Sequence, residues 1–179
     1  MRTICLTLVL IAALSTAGSA TALTWTLTGV TFGDGGTAFG SFSYDATGGA
    51  YGAVDIVTSP GSSLGGATYQ FVSGGFTPSD TRVLFVTTGS ADETSAEGLA
   101  LFFSSQLTNS GGTVSLSLSE EATCADPACF SPAAPTRLTT AGSVTTTPEP
   151  SCIWLFWAGA TLRAARRSFG SRGSEPRST

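Results

Sequence analysis

Cys124 and Cys129 are the most pointed pair of reactive side chains in this chain, in Cys124-Ala125-Asp126-Pro127-Ala128-Cys129. Of the other two cysteines, Cys5 lies in an N-terminal apolar run and Cys152 near the C-terminal end. A structural zinc site needs four ligands, and the chain has no histidine and no third cysteine in its central part to supply them. A redox-active pair is disfavoured as well. The spacing is not Cys-X-X-Cys, and no basic side chain stands nearby to lower a thiol pKa. In an oxidising compartment the pair reads most simply as one small disulfide loop.

Other chemistry is limited by what is missing. With no His and no Lys, histidine triads, Ser–Lys nucleophiles and phosphate loops with a Gly-Lys step are all excluded. A pair of carboxylates could serve a glycosidase, but most of the acids fall in Gly/Ser-rich turns, where a solvated turn residue is the better explanation. No catalytic residue is assigned, and no cofactor is expected. Asp34 and Asp45, with Asp55, could hold calcium through carboxylates and turn carbonyls; turn-forming roles explain them better. Trp25, Tyr44, Tyr51 and Tyr69 could offer sugars a stacking platform. For Trp25 and Tyr44, which alternate with polar neighbours, core packing is the better explanation.

The segment Leu23–Thr147 carries ten acids and two bases, Arg82 and Arg137, a net charge of −8 against −4 for the whole chain. Such a surface lacks the basic footprint that nucleic acid requires, and it disfavours adsorption to anionic lipid. It suits a secreted protein kept soluble by charge.

The elements that must position these residues have a period of two. In Thr24-Trp25-Thr26-Leu27-Thr28, Trp25 and Leu27 face one way. Val30 and Phe32 continue on the opposite parity, so a β-bulge is expected at Gly29. Gly33-Asp34-Gly35-Gly36 is a turn, and Phe39–Tyr44 returns, making a hairpin. Further strands are expected at Ala53–Thr58, Thr68–Val72, Arg82–Thr88, Leu99–Ser105, Thr113–Ser119 and Thr136–Thr145. The runs Val83–Val86 and Leu99–Phe103 are continuously apolar, which suits strands covered on both faces. Val114–Ser119 alternates, so one of its faces is wet. Ser90–Glu97 is short and polar and reads as a loop. About eight short strands with Gly-rich turns predict an all-β fold, a single β-sandwich of jelly-roll type.

Both ends of the chain read as addresses. Met1–Ala22 has a positive Arg2, an apolar run Ile4–Leu14 and small residues Ala20-Thr21-Ala22, the pattern of a cleaved export signal. At the other end, Pro148-Glu149-Pro150 precedes the apolar Ile153–Leu162, and Arg163, Arg166 and Arg167 follow. Proline fixes φ and donates no hydrogen bond, so this tripeptide is extended and easily gripped by an enzyme. An apolar run closed by arginines reads as a stop-transfer segment.

This three-part tail resembles the PEP-CTERM sorting signal of bacterial envelope proteins, the substrates of exosortase enzymes. The apolar run is ten residues long, about 15 Å of helix, where a span needs about 20 residues; anchoring by it is weak or transient. The polar stretch from Ser168 to Thr179 extends beyond the usual family pattern. Trp25, Phe32, Asp34-Gly35-Gly36, Gly40-Ser41-Phe42 and Tyr44-Asp45 also resemble an uncharacterised ectodomain that recurs in this family.

The expected organisation is therefore a signal peptide (1–22), a β-sandwich ectodomain (23–147), a sorting signal (148–167) and a polar extension (168–179). The resemblance implies an exosortase-type membrane enzyme as partner and an association with extracellular polysaccharide. The expected function is a non-catalytic envelope or matrix protein, with a glycan- or calcium-binding module as the alternative.

Overall fold

The computed structural model describes residues 22–146. Residues 1–21 of the expected signal, the motif Pro148-Glu149-Pro150, Arg163, Arg166, Arg167 and the polar extension lie outside the described residues. So does Cys152.

Ten strands make up the described part: β1 (Leu23–Phe32), β2 (Thr37–Asp45), β3 (Ala50–Thr58), β4 (Thr68–Tyr69), β5 (Phe71–Val72), β6 (Arg82–Val86), β7 (Glu97–Phe102), β8 (Thr113–Ser115), β9 (Glu120–Cys124) and β10 (Pro132–Thr145). Among the described residues there is no helix, and Ser90–Ala96 is a loop as expected. All pairings are antiparallel, in the order β4-β3-β2-β1-β10-β9-β7-β6-β5, with β8 added alongside β10. The all-β expectation holds, and the sheet curls into a nearly closed, sandwich-like barrel. Its refinement to a jelly roll does not hold. Most neighbours in the sheet are also neighbours in sequence, so the path is a meander closed by β1 against β10, where a jelly roll needs crossed Greek-key connections.

Two features make this closure possible. The first is β10, which belongs to both halves of the sheet. Its N-terminal part, Pro132–Leu138, pairs with β9, and its C-terminal part, Thr139–Thr145, pairs with β1. The second is Gln70, the single residue between β4, which pairs with β3, and β5, which pairs with β6. The chain passes there from one half to the other.

The expected bulge at Gly29 is present. The β1 register shifts on both of its edges, between Thr26 and Val30 against β2 and between Thr28 and Thr31 against β10, and Gly29 has φ +62°. Opposite it, Gly142 has φ +141°, and a Cβ there would come within 2.7 Å of Val30 Cγ2. Glycine at both positions lets the two strands approach while each changes parity.

The main core gathers Trp25, Leu27, Val30 and Phe32 of β1, Phe42 and Tyr44 of β2, and Val83, Phe85, Leu99 and Leu101 of β6 and β7. The apolar run of β6 is covered on both faces, as its composition implies, whereas in β7 the outer-face residues Ala100 and Phe102 are only partly buried. Leu84 and Val86 point the other way, into a second small core with Ala96, Cys124, Phe76 and Ala100. That outer layer is built by two loops. Cys124 and Cys129 are joined by a disulfide, as the cysteine arithmetic predicts. The bridge packs on Gly98, where a Cβ would lie 2.9 Å from Cys129 Sγ. The Ser73–Ser79 loop meets the disulfide loop backbone to backbone, because a Cβ on Gly75 would stand 2.5 Å from Ala128 Cα. The buried Glu93 clamps both loops: its carboxylate accepts from Ser73 Oγ (2.7 Å) and Gly74 N–H (2.9 Å), and its own N–H donates to Pro127 O (3.0 Å).

Beyond shifts at strand ends, such as β10 starting at Pro132 and not Thr136, the strand expectations differ from the structure in three places. β9 was not anticipated, since glutamate is depleted in strands and Glu120-Glu121 opens it. Thr68–Val72 is two strands meeting at a corner. Only Thr113–Ser115 of the alternating segment pairs as a strand, and Leu118 is 76% exposed.

Replacing Cys124 and Cys129 together by Ser should lower unfolding stability by about 2 kcal/mol, the chain-entropy value for so short a loop, and should leave the fold intact. Urea denaturation of both proteins checks the loss. Thiol labelling of the wild type without reductant should leave both cysteines unmodified.

Candidate functional site

Inside the barrel, at the end formed by the β1–β2 turn, five polar side chains from separate elements meet. Arg137 of β10 is 3% exposed and lies between two carboxylates. Its Nε donates to Glu121 Oε2 at 2.9 Å, and Nη2 stands 2.8 Å from the same oxygen without aligning as a hydrogen bond. Its Nη1 reaches Asp34 Oδ2 at 3.3 Å. The guanidinium carbon lies 4.3 Å from the centre of the Phe32 ring. Glu121 Oε1 accepts from Thr58 Oγ1 and from Tyr69 OH, both at 2.8 Å. The Asp34 carboxylate also accepts from Gly36 N–H at 3.0 Å and Ser63 N–H at 3.2 Å.

The sequence produces this cluster through the parity change of β10. Arg137 pairs with Glu121, and Leu138 with Glu120; Arg137 and Glu121 point inward while Leu138 is half exposed. Counting back by twos from the buried Val144 would place Leu138 inside and Arg137 outside. The register shift between β1 and β10 near Thr139–Ala141 reverses that.

The charges act on their neighbours. Burial raises the Tyr69 phenol far above its ordinary value, and the adjacent Glu121 carboxylate raises it further, so Tyr69 stays a neutral donor. Partial desolvation acts to raise the Asp34 carboxyl, but the amides of Gly36 and Ser63 and the charge of Arg137 outweigh it and hold Asp34 below the usual carboxylate range. With both Glu121 oxygens occupied and the group sealed from solvent, this arrangement fits a structural tie.

The carboxylates considered for calcium are not brought together. Asp34 is engaged by Arg137. Asp45 lies at the opposite end of β2, where its carboxylate accepts from Thr47 N–H (2.9 Å) and Asn109 Nδ2 (3.3 Å). The Thr47 amide bond leads in holding its pKa below normal. Asp55 is exposed in mid-β3 opposite Ser41. Among the described residues no group of three His, Cys, Asp or Glu side chains could hold a metal ion. The aromatic residues considered for sugar stacking are core residues: Trp25, Tyr44 and Tyr69 are buried, and the half-buried Tyr51 donates its OH to Ser79 O at 2.6 Å. The expected placement of most acids in solvated turns does not hold: Asp45, Asp55, Glu97, Glu120 and Glu121 lie in strands, and Glu93, in a loop, is buried, as is Glu121.

One open concavity lies on the outer face of β6, β7 and β9. Small residues Gly98, Ala100 and Ala122 form its floor, and Phe76, Phe102 and Phe130 line it. Its volume is ≈ 150 Å³. Sequence reasoning missed it because the Phe residues come from one strand and two separate loops; the Phe130 beside the disulfide was the available signal.

No family model, curated protein or solved structure matches this chain.

Arg137→Met should destabilise the protein by about 3–5 kcal/mol, since it leaves Glu121 buried and uncompensated. Arg137→Met with Glu121→Leu should recover most of that loss, as measured by urea denaturation. A second outcome concerns acid. Asp34, Asp45, Asp92 and Asp126 all have folded pKa values below the ordinary 3.8. Their contribution is full above the unfolded value and is lost as pH falls through the folded values. Stability should therefore drop between about pH 5 and pH 2, and Asp34→Asn should make that drop shallower.

Proposed function

We propose that this chain is an exported, non-catalytic envelope or extracellular-matrix protein, delivered through its Pro148-Glu149-Pro150 tail. An exosortase-type membrane enzyme reads the tail, and the folded part works alongside extracellular polysaccharide. The observation that carries this reading is the order of the tail: a rigid Pro-Glu-Pro, an apolar run Ile153–Leu162 and the cluster Arg163, Arg166 and Arg167. The last strand ends at Thr145, three residues before Pro148, so an enzyme can engage the motif without unwinding the barrel.

The fold supports the reading in two further ways. A disulfide between Cys124 and Cys129 suits an oxidising compartment. Among the described residues the buried Glu93 and Glu121 are occupied by structural partners, in keeping with a non-catalytic role. The short apolar run makes membrane residence brief, and the Glu149 charge between two rigid prolines gives a basic pocket a specific handle.

Glu149→Ala should leave the tail uncut and shift the protein toward the inner membrane or periplasm. Cell fractionation with C-terminal mass mapping of both proteins measures this. An intact Thr179 terminus and the same location in wild type and variant would overturn the reading.

A further inference from the structure

We propose that the concavity on the outer face of β6, β7 and β9 is a binding site for a small organic cation built on a single six-membered ring. Size is the first constraint on a ligand. A dry cavity of about 150 Å³ takes one benzene ring, and the volume here is ≈ 150 Å³. Ala100 and Ala122 leave the floor open because neither projects beyond Cβ, and the disulfide closes it over Gly98. Bulk is supplied at the sides by Phe76, Phe102 and Phe130.

The position of the walls is held by the surrounding structure. The disulfide packs on Gly98, and the Ser73–Ser79 loop packs on Ala128 through Gly75. Glu93 fastens both loops. Phe76 carries the Arg82 guanidinium over its ring at 5.1 Å. Phe130 remains 67% exposed, an aromatic ring held at the rim with much of its surface unpartnered.

Charge selects among ring-sized ligands. Glu120 is the single ionisable side chain in the lining, and neither ion pair among the described residues involves it. Of the two bases among the described residues, Arg137 is paired inside the barrel, and Arg82 lies over the Phe76 ring, which leaves the exposed Phe130 ring for a ligand cation. Against them stand ten carboxylates in the same segment, whose field concentrates cations at the surface. Phenyl faces attract cations as well. A neutral ring gains only the apolar contact. A ring bearing an ammonium group gains that contact, the Glu120 carboxylate and the quadrupole of the Phe130 ring together.

The test titrates purified full-length protein with benzylammonium, with benzyl alcohol as its neutral counterpart and with methyl glucoside as a sugar. Amide shifts by NMR give the site and the Kd. Benzylammonium should shift the amides of Gly98, Ala100, Ala122 and Phe130 saturably, with a Kd about tenfold below that of benzyl alcohol. Glu120→Gln should bring the two ligands to within about twofold, and Phe130→Ala should weaken both. Both side chains are at the surface, so these variants keep the fold. Equal affinities in the wild type, shifts mapping elsewhere, no saturable shift, or binding of methyl glucoside in place of the ring cation would each overturn the proposal. None of these results bears on the processing of the C-terminal tail, which is tested separately.

Discussion

One guanidinium, sealed in a barrel of about ten strands, sets the terms for much of this structure. An isolated charge cannot remain in an apolar interior, so wherever Arg137 sits, Glu121 and Asp34 must sit too. Meeting that demand ties β10 to β9 and to the β1–β2 turn. The second oxygen of Glu121 then recruits Thr58 at the end of β3 and Tyr69 of β4. Buried ion clusters of this kind add little net stability over a packed apolar core. What this one does is penalise alternative registers, because a slip of one residue in β10 would turn Arg137 to solvent and leave Glu121 buried alone.

The same strand solves the closure problem. A meander has two edges that would otherwise stay unpaired. Here β10 pairs with β9 along its first part and β1 along its second, and β8 covers part of its remaining edge. The Gly29 and Gly142 conformations absorb the change of direction. Closure leaves an inner face given over to the core and an outer face that is mostly Ser and Thr. Only over β6, β7 and β9 is there a second layer, where the disulfide loop and Glu93 hold a set of Phe residues at the surface.

Chemistry and architecture are thereby separated. The interior carboxylate Glu121 is fully occupied, whereas Glu120, its neighbour on the same strand, faces outward beside an aromatic concavity. Two adjacent acids differ in role because successive side chains on a strand point to opposite faces.

By itself the sequence determined the local features. Alternation in Thr24–Thr28 and Phe39–Tyr44, the turn at Gly33–Gly36, the parity switch at Gly29 and the Cys124–Cys129 pairing all depend on residues close together in the chain, and each was legible. So was the all-β class, because period-two patterning and Gly-rich turns recur along the whole segment. The tertiary structure alone decided the meander, the corner at Gln70, the strand made by Glu120–Cys124 and the roles of Arg137, Glu121 and Asp34. The physical reason is the same in each case. Asp34 and Arg137 are separated by 103 positions and Glu121 and Tyr69 by 52, and whether a polar residue lies in a solvated turn or against a buried partner depends on what the fold brings to it from that distance.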